Sequence, residues 1–270
     1  MQWKGGINLK RTFLKSDNPI ITTMVQANNP DRIKELIDKS LPEGAEAFGM
    51  QFCKMKEEYR NKTTYKELFS YTDKPVYVTN YRNAENKGKS DIILADELLE
   101  FADCGATLCD VIGDLYDKQP DELAVEKTAI EKQKKLIENL HQKGAEVLIS
   151  SHILQFTPAE RVLEIALEHQ RRGADISKIV TGADTMEQQI ENMRIINLLK
   201  ENLKIPFLFL SGGECYILRR IGGELGCCMY LCVYEHDELS TPAQPLLKNV
   251  KAIRDNICFK EKLYESYTCE

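Results

Sequence analysis

Short apolar runs alternate with amphipathic stretches along the whole chain. The apolar runs are rich in Val, Ile, Leu and Phe, which is typical of buried strands. In the stretches between them, apolar residues recur at helical spacing. We predict strands at 20–25, 45–52, 75–79, 107–112, 147–149, 174–180, 206–210 and 228–233. We predict helices at 31–39, 64–71, 90–101, 120–143, 158–172, 185–200, 219–225 and 246–256.

Eight strands that alternate with helices indicate an α/β protein with a closed (β/α)8 barrel. The alternative is an open, doubly wound sheet, which usually carries a glycine-rich turn after its first strand. Here that turn is Gln26-Ala27-Asn28-Asn29, which contains no glycine. No linker or low-complexity segment divides the chain, so residues 1–270 are predicted to form one domain.

A histidine and a lysine stand on consecutive strands in the middle of the chain. His152 ends the fifth strand, and Lys178 lies on the sixth between Ile176 and Val180. Thr157 and the proline after it begin the connecting helix. A strand–helix–strand crossover makes the two strands parallel, and neighbouring strands lie about 4.8 Å apart. We therefore expect the imidazole and the amine to face the same small space.

This pair of residue types indicates a specific chemistry. A lysine that points into a barrel is desolvated, which lowers its pKa and makes the neutral amine available as a nucleophile. Such an amine forms a Schiff base with a carbonyl, and the iminium acidifies the neighbouring C–H bond. A nearby histidine can take that proton and return it to a leaving hydroxyl. In the structural alternative, Lys178 reaches solvent beside a hydrogen-bonded His152.

Composition narrows the class of partner. The net charge of −6 argues against nucleic acid or anionic membranes as partners, because either favours a basic surface. No apolar run approaches the ~20 residues of a membrane span, and the first residues lack a signal-peptide pattern, so a cytoplasmic protein is predicted. His169, which stands among charged residues, is expected to be solvated.

The nine cysteines are predicted to be buried, reduced thiols rather than metal ligands. The sequence has no C-x-x-C pair and no Cys/His cluster with zinc spacing. Cys227, Cys228 and Cys232 are an alternative ligand set, but consecutive side chains of a strand point to opposite faces. We expect no metal.

The segment Ser150-Ser151-His152, with Thr157-Pro158 after it and Ala174 to Ile179 (ADISKI) further on, resembles the type I 3-dehydroquinate dehydratase family. The resemblance extends over most of the chain. Its weaker parts are Thr79, Arg82 and Glu85 after the third strand, Asp110 on the fourth, Arg219 before Ile221-Gly222-Gly223, and the loop Ser240-Thr241-Pro242-Ala243-Gln244.

The resemblance implies a carbon–oxygen lyase of the shikimate pathway, which serves aromatic amino acid biosynthesis. It implies that 3-dehydroquinate is dehydrated to 3-dehydroshikimate through an imine on Lys178, with His152 as general acid/base and Glu85 orienting His152. It also implies a homodimer that needs no cofactor and binds a small carboxylate-bearing carbonyl substrate. The substrate-binding residues that it implies are Arg82, Asp110, Arg219, Ser240 and Gln244.

The sequence departs from the family at several positions that would hold the substrate. The family's second-strand Glu-x-Arg falls on Gly49 and Gln51, the acidic residue two after Asp110 becomes Ile112, and the serine before Arg219 becomes Leu218. Losing hydrogen-bonding partners changes which substrate a site accepts. The open alternatives are a class I aldolase-like or other Schiff-base lyase that acts on a different carbonyl compound, and a barrel that binds a sugar-acid-like ligand without turnover.

Overall fold

A computed structural model describes residues 11–14, 16 and 18–257. Its eight strands all run parallel. They are β1 (Ile20–Val25), β2 (Ala47–Gln51), β3 (Val76–Thr79), β4 (Leu108–Ile112), β5 (Glu146–His152), β6 (Ile176–Gly182), β7 (Phe207–Gly212) and β8 (Met229–Cys232).

Each strand is followed by a helix. The helices are α1 (Pro30–Ser40), α2 (Lys62–Ser70), α3 (Asp91–Asp103), α4 (Lys127–Gln142), α5 (Ala159–Arg171), α6 (Met186–Asn202), α7 (Leu218–Leu225) and α8 (Leu247–Asn256). Short 3₁₀ helices also occur at Phe52–Lys54, Glu57–Tyr59 and Ala84–Asn86.

The strands form one sheet in the order β7-β6-β5-β4-β3-β2-β1-β8. At its two ends, the backbone N–H of Cys228 donates to the carbonyl of Phe207 at 2.9 Å, which brings β7 and β8 together. The sheet is therefore a nearly closed barrel with helices outside it. The predicted (β/α)8 barrel is confirmed, and the doubly wound alternative is wrong.

Side chains along β6 point alternately into the barrel interior and outward towards the helices. Lys178 and Val180 line a cavity inside the barrel. Ser177, between Ile176 and Lys178, points outward and hydrogen-bonds His169 of α5 at 3.0 Å. The period of two thus places the lysine inside, as the sequence pattern predicts.

Helix α4 begins at Lys127, so the prediction that it begins at Pro120 is wrong. The carboxylate of Asp117 accepts hydrogen bonds from the backbone N–H groups of Val125 and Glu126, at 2.8 and 2.9 Å. Because these two N–H groups are bound by a side chain rather than by backbone carbonyls of a preceding helical turn, the chain remains a loop as far as Glu126. Residues 113–126 form this loop, called the β4–α4 loop below.

The β4–α4 loop is held down by buried polar side chains. Arg172 donates to the carbonyls of Gly113 and Ala124 at 2.9 and 2.6 Å. Gln133 donates to the carbonyl of Ile112 at 2.9 Å. A Cβ at Gly113 would lie 2.3 Å from the carbonyl oxygen of Glu122, so only glycine allows this close approach.

His169 is fully buried, so the prediction of a solvated histidine is wrong. It lies on the inner face of α5, where Nδ1 contacts Ser177 and Nε2 contacts the hydroxyl of Ser151 at 3.1 Å. Burial lowers its pKa to about 3, so the ring is neutral at physiological pH. Ser151 also donates to the carbonyl of Glu122 at 2.8 Å, and His169 therefore supports the β4–α4 loop.

The seven cysteines in the described part of the chain are free thiols. Five are buried, whereas Cys215 and Cys228 are partly exposed; Cys258 and Cys269 lie outside the described residues. Within 11–14, 16 and 18–257, no three His, Cys, Asp or Glu side chains are grouped so as to hold a metal ion. In the same ranges, no helix has both the length and the apolar content needed to cross a membrane.

Candidate active site

A cavity of about 640 Å³ opens at the carboxyl ends of the strands. This is the end of a (β/α)8 barrel at which catalytic residues are found. The structure brings five of the sequence-predicted residues to its walls, namely Lys178, His152, Arg82, Arg219 and Gln244.

Lys178 lies on the cavity floor and is only 4% exposed. Its amine hydrogen-bonds the hydroxyls of Tyr81 and Tyr77 at 2.6 and 3.1 Å, and Asp110 Oδ2 at 3.2 Å. The alternative in which Lys178 reaches solvent is therefore wrong. Burial and the charge of Asp110 raise the pKa of both tyrosines well above the usual value, so both remain protonated donors.

Asp110 lies beneath the lysine as its counter-ion. Its Oδ2 accepts from Lys178, from Tyr77 and from Tyr81 (2.6 Å), and its Oδ1 accepts from Ser150 at 2.5 Å. Burial alone would raise the pKa of Asp110, but the charges of Lys178 and His152 and these hydrogen bonds outweigh it and lower the pKa. Asp110 does not line the cavity and its oxygens accept from protein donors, so the structure favours a role as counter-ion over the predicted contact with substrate.

The Lys178–Asp110 pair predicts a specific dependence of stability on pH. The folded-state pKa of Asp110 is lowered, so the pair contributes its full stabilisation at pH values above the unfolded-state pKa of about 3.9. That stabilisation is lost as the pH falls through the folded-state pKa. In Lys178→Met the buried carboxylate has no counter-ion, so its pKa rises and acid stabilises the variant relative to wild type. The difference between their free energies of unfolding should narrow from pH 7 to pH 3, as measured by urea denaturation.

The matched control for that measurement is Lys118→Met, because Lys118 also lines the cavity but is exposed. The free energy of unfolding of Lys118→Met should differ from that of wild type by the same amount at every pH. If the difference between Lys178→Met and wild type also did not change with pH, Asp110 would not be ionised in the folded protein.

His152 is oriented by a residue that sequence reasoning missed. Glu122 Oε2 accepts from His152 Nδ1 at 2.9 Å and from the His152 backbone N–H at 2.8 Å. The predicted partner, Glu85, is exposed in the 3₁₀ helix Ala84–Asn86 and does not contact His152, so that prediction is wrong. The reason is that Asn86 turns inward instead and donates to Tyr81 O at 2.8 Å.

Glu122 and Leu154 adopt left-handed backbone conformations at the cavity wall, with φ of +46° and +61°. For a residue with a side chain, this conformation costs on the order of 1–3 kcal/mol and is concentrated at functional sites. The contacts of the β4–α4 loop hold Glu122 in place against that cost. The histidine is therefore presented to the cavity by a strained, supported loop.

Arg82 lines the cavity but is already paired. Its guanidinium contacts both oxygens of Asp91 at 2.8 Å and Asp114 Oδ1 at 2.5 Å. Burial acts to lower the pKa of Arg82, but these carboxylates outweigh it and raise the pKa. Because both partners compete with a substrate carboxylate, the predicted substrate contact of Arg82 is not supported. The position two residues after Thr79, which the family's Thr-x-Arg assigns to arginine, is Tyr81.

Arg219 is a buried cation of the site, and no carboxylate pairs with it among the described residues. It is 9% exposed, and its Nε donates to the carbonyl of Ser211 at 2.7 Å, with no carboxylate partner in the described ranges. Burial lowers its pKa to about 10, so it stays charged at neutral pH. Gln244 is also buried, and its Oε1 has no hydrogen-bond partner in the described structure. A buried, unpaired guanidinium is suited to bind a carboxylate.

Ser240 does not line the cavity, so the structure does not support its predicted contact with substrate. Its hydroxyl instead exchanges hydrogen bonds with the backbone of Asp237, both at 2.9 Å. The next residue, Thr241, lines the cavity and is tied to Gln26, which accepts from its N–H at 2.7 Å and donates to its hydroxyl at 3.0 Å.

The β1–β2 wall of the cavity is neutral. A Cβ on Gly49 would lie 2.1 Å from the sulfur of Met24, so the methionine fills the space that a longer side chain would need. Gln51 accepts from Gln26 at 2.7 Å. Where the family has Glu-x-Arg, this chain therefore has a thioether and a pair of hydrogen-bonded amides.

Known proteins resemble this chain in sequence and in fold. A family model described as type I 3-dehydroquinase matches residues 21–257. The 3-dehydroquinate dehydratase of Alkaliphilus oremlandii is 36% identical over 92 residues, which are 33% of this chain and 36% of that protein. The aligned stretch thus spans about a third of that relative's length.

Two crystal structures show the same fold. The 3-dehydroquinate dehydratase of Geobacillus kaustophilus has a TM-score of 0.74 at 14% identity, over 96% of this chain and 97% of its own. The type I enzyme of Clostridium difficile, described with covalently modified comenic acid, has a TM-score of 0.72 at 18% identity, over 94% and 95%. Because the family model covers most of the sequence, this chain belongs to the type I 3-dehydroquinase family.

Proposed function

We propose that this chain dehydrates 3-dehydroquinate to 3-dehydroshikimate through an imine on Lys178, with His152 as general acid/base. The observation that supports this most is the buried amine on the cavity floor, with a histidine and an unpaired guanidinium, Arg219, in the same cavity. 3-Dehydroquinate carries a ketone, a hydroxyl β to it and a carboxylate. Those three groups correspond to the three side chains.

In this mechanism, Lys178 condenses with the ketone, and the iminium acts as an electron sink for the adjacent carbon. His152 removes a proton from that carbon and later delivers a proton to the leaving β-hydroxyl. Since Nδ1 is bonded to Glu122, Nε2 is the nitrogen available for both transfers. Hydrolysis of the imine then releases the conjugated enone and restores the amine.

The test is to add 3-dehydroquinate and follow the ultraviolet absorbance of the conjugated enone. Product should form with wild type and not with Lys178→Met. No product from folded wild-type protein would overturn dehydration of this substrate.

A second candidate is an imine-forming lyase or aldolase with a different oxo acid as substrate. The neutral β1–β2 wall favours it, because Met24 and the Gln26–Gln51 pair offer no charged group to hold ring hydroxyls. Borohydride reduction in the presence of a panel of oxo acids distinguishes the candidates. A stable adduct on Lys178 with another oxo acid, but not with 3-dehydroquinate, supports the second; tight binding with no adduct indicates a binding protein.

The carboxylate of the ligand is expected to bind Arg219. Arg219→Lys keeps a charge but loses the planar fork, and a bidentate charge-assisted pair contributes about 1.5–3 kcal/mol, so the Kd should rise roughly 10- to 100-fold. Calorimetric titration of 3-dehydroquinate measures it in a Lys178→Met background that cannot react. Arg220→Lys is the control, because Arg220 stacks 4.8 Å from the centroid of Tyr216 and does not line the cavity. Equal effects of the two variants would mean that Arg219 does not hold the carboxylate.

A further inference from the structure

The hydroxyl of Tyr81 lies between the nucleophile and its counter-ion. It accepts from Lys178 Nζ at 2.6 Å and donates to Asp110 Oδ2 at 2.6 Å, and Tyr81 itself lines the cavity. The backbone of Tyr81 is fixed by the hydrogen bond from Asn86. A hydroxyl that accepts from one group while it donates to another can move a proton between them without a net change of its own.

We propose that Tyr81 is a catalytic residue that relays protons between Lys178, Asp110 and the substrate's carbonyl oxygen while the imine forms. The inference rests on the proposed role of Lys178 as the imine-forming residue. It concerns a position where the family motif has arginine and this chain has tyrosine.

The first transfer prepares the nucleophile. An N–H proton of the Lys178 ammonium passes to the Tyr81 oxygen as the Tyr81 proton passes to Asp110, which leaves a neutral amine and a neutral carboxyl. The nitrogen lone pair then attacks the carbonyl carbon, and the π electrons move onto the oxygen. Asp110 returns its proton through Tyr81 to that oxygen, which gives a carbinolamine with a positively charged nitrogen.

The second transfer removes water. Another N–H proton travels by the same route to Asp110 and back to the carbinolamine hydroxyl, which leaves as water while the nitrogen lone pair forms the C=N bond. The ammonium and the ketone have become an iminium and one water, and Asp110 is again a carboxylate. No oxidant, reductant or further reactant is required.

Neighbouring groups are less well placed for this relay. Tyr77 also contacts both groups and lines the cavity, but it is fully buried, whereas Tyr81 is partly exposed. The Tyr77 oxygen is also farther from the amine, at 3.1 Å against 2.6 Å for Tyr81. His152 bonds Glu122 through Nδ1, and within the described residues it has no hydrogen bond to Lys178; its ring meets the edge of Tyr81 at 5.0 Å. Tyr81 thus links the lysine pair to the open cavity.

The test uses 2,4-pentanedione as a probe that does not depend on the natural substrate. A neutral lysine amine condenses with this diketone, loses water and gives a conjugated enaminone that absorbs in the ultraviolet. Peptide mass mapping identifies the modified lysine. The limiting rate at saturating diketone should fall about 10²-fold in Tyr81→Phe, with the half-saturating concentration unchanged.

The control is Tyr71→Phe, which removes the same hydroxyl from an exposed tyrosine that hydrogen-bonds Asp38 at 2.8 Å. Its limiting rate should equal that of wild type. An equal rate in Tyr81→Phe would overturn the relay.

A pH series separates proton relay from an effect on the lysine's charge. The groups that face the amine are Tyr77 and Tyr81 from the β3 side, Asp110 from β4 and, next to Tyr81, His152 from β5. If Tyr81 only influences the charge of Lys178, Tyr81→Phe should regain the wild-type limiting rate at higher pH, which would overturn the relay. A limiting rate that stays low throughout supports it.

The same assay distinguishes this inference from the proposed function. Wild type that forms the enaminone on Lys178 but does not dehydrate 3-dehydroquinate would reject that dehydration, and the comparison of Tyr81→Phe with wild type would still decide the relay. Wild type that forms no enaminone on Lys178 would overturn the relay.

Discussion

Replacing Lys178 with methionine should abolish imine formation and slow turnover of 3-dehydroquinate by roughly 10⁴-fold or more, the scale seen when a catalytic nucleophile is removed. Methionine retains most of the length and the apolar stem of lysine but has no amine. Reduction with borohydride in the presence of substrate followed by intact mass measurement tests the expectation. Wild type should gain the mass of the reduced adduct, and Lys178→Met should not.

The control is Lys118→Met, since this exposed lysine lines the same cavity. The variant should form the adduct at the wild-type rate, and peptide mapping should locate it on Lys178. An adduct on Lys118 in wild type, or turnover that persists in Lys178→Met, would contradict imine chemistry at Lys178.

The position of Lys178 could be predicted from sequence because two independent patterns agree. A lysine between Ile176 and Val180 on a short apolar strand must share their face, and that face is the barrel interior. The crossover from β5 then places His152 on the neighbouring strand, where it pairs in register with Val180. Periodicity and topology are local or nearly local properties, so the sequence carries them.

The partner of His152 could not be predicted, because it depends on contacts between distant parts of the chain. The residues after Pro120 have the composition of a helix. They remain a loop because Asp117 and Arg172 hydrogen-bond to backbone groups of the β4–α4 loop. Glu122 then reaches His152 through a left-handed backbone conformation that no local pattern indicates for glutamate. Only tertiary structure favours Glu122 over Glu85.

Tyr81 is a different case, because a signal was present. Tyr77 and Thr79 share one face of β3, and both line the cavity, so the same period continued past the end of the strand predicts that Tyr81 lies on the inner side. Matching Arg82 to the family's arginine shifts the register by one residue, and a shift of one reverses the face of a strand. The structure accordingly pairs Arg82 with Asp91 and Asp114 at the edge of the cavity.

His152→Ala should slow dehydration of 3-dehydroquinate by about 10²- to 10⁴-fold, the usual contribution of a general acid/base, while imine formation on Lys178 continues. Glu122→Gln should slow it less, since glutamine can still accept a hydrogen bond from Nδ1 but no longer stabilises the imidazolium. Steady-state rates from enone absorbance measure how much each variant slows dehydration. Borohydride trapping measures imine formation on Lys178, and it should still label both variants fully.

Glu85→Gln is the control for Glu122→Gln. It makes the same change at an exposed residue, the one that the family resemblance implies would orient His152. Its rate should match wild type, since Glu85 does not contact the histidine and Glu122 does, at 2.9 Å. A loss in Glu85→Gln as large as in Glu122→Gln would show that the active enzyme uses a different loop arrangement. A near wild-type rate in His152→Ala would place the base elsewhere, and the half-buried Tyr81 beside the imidazole ring is then the group to examine.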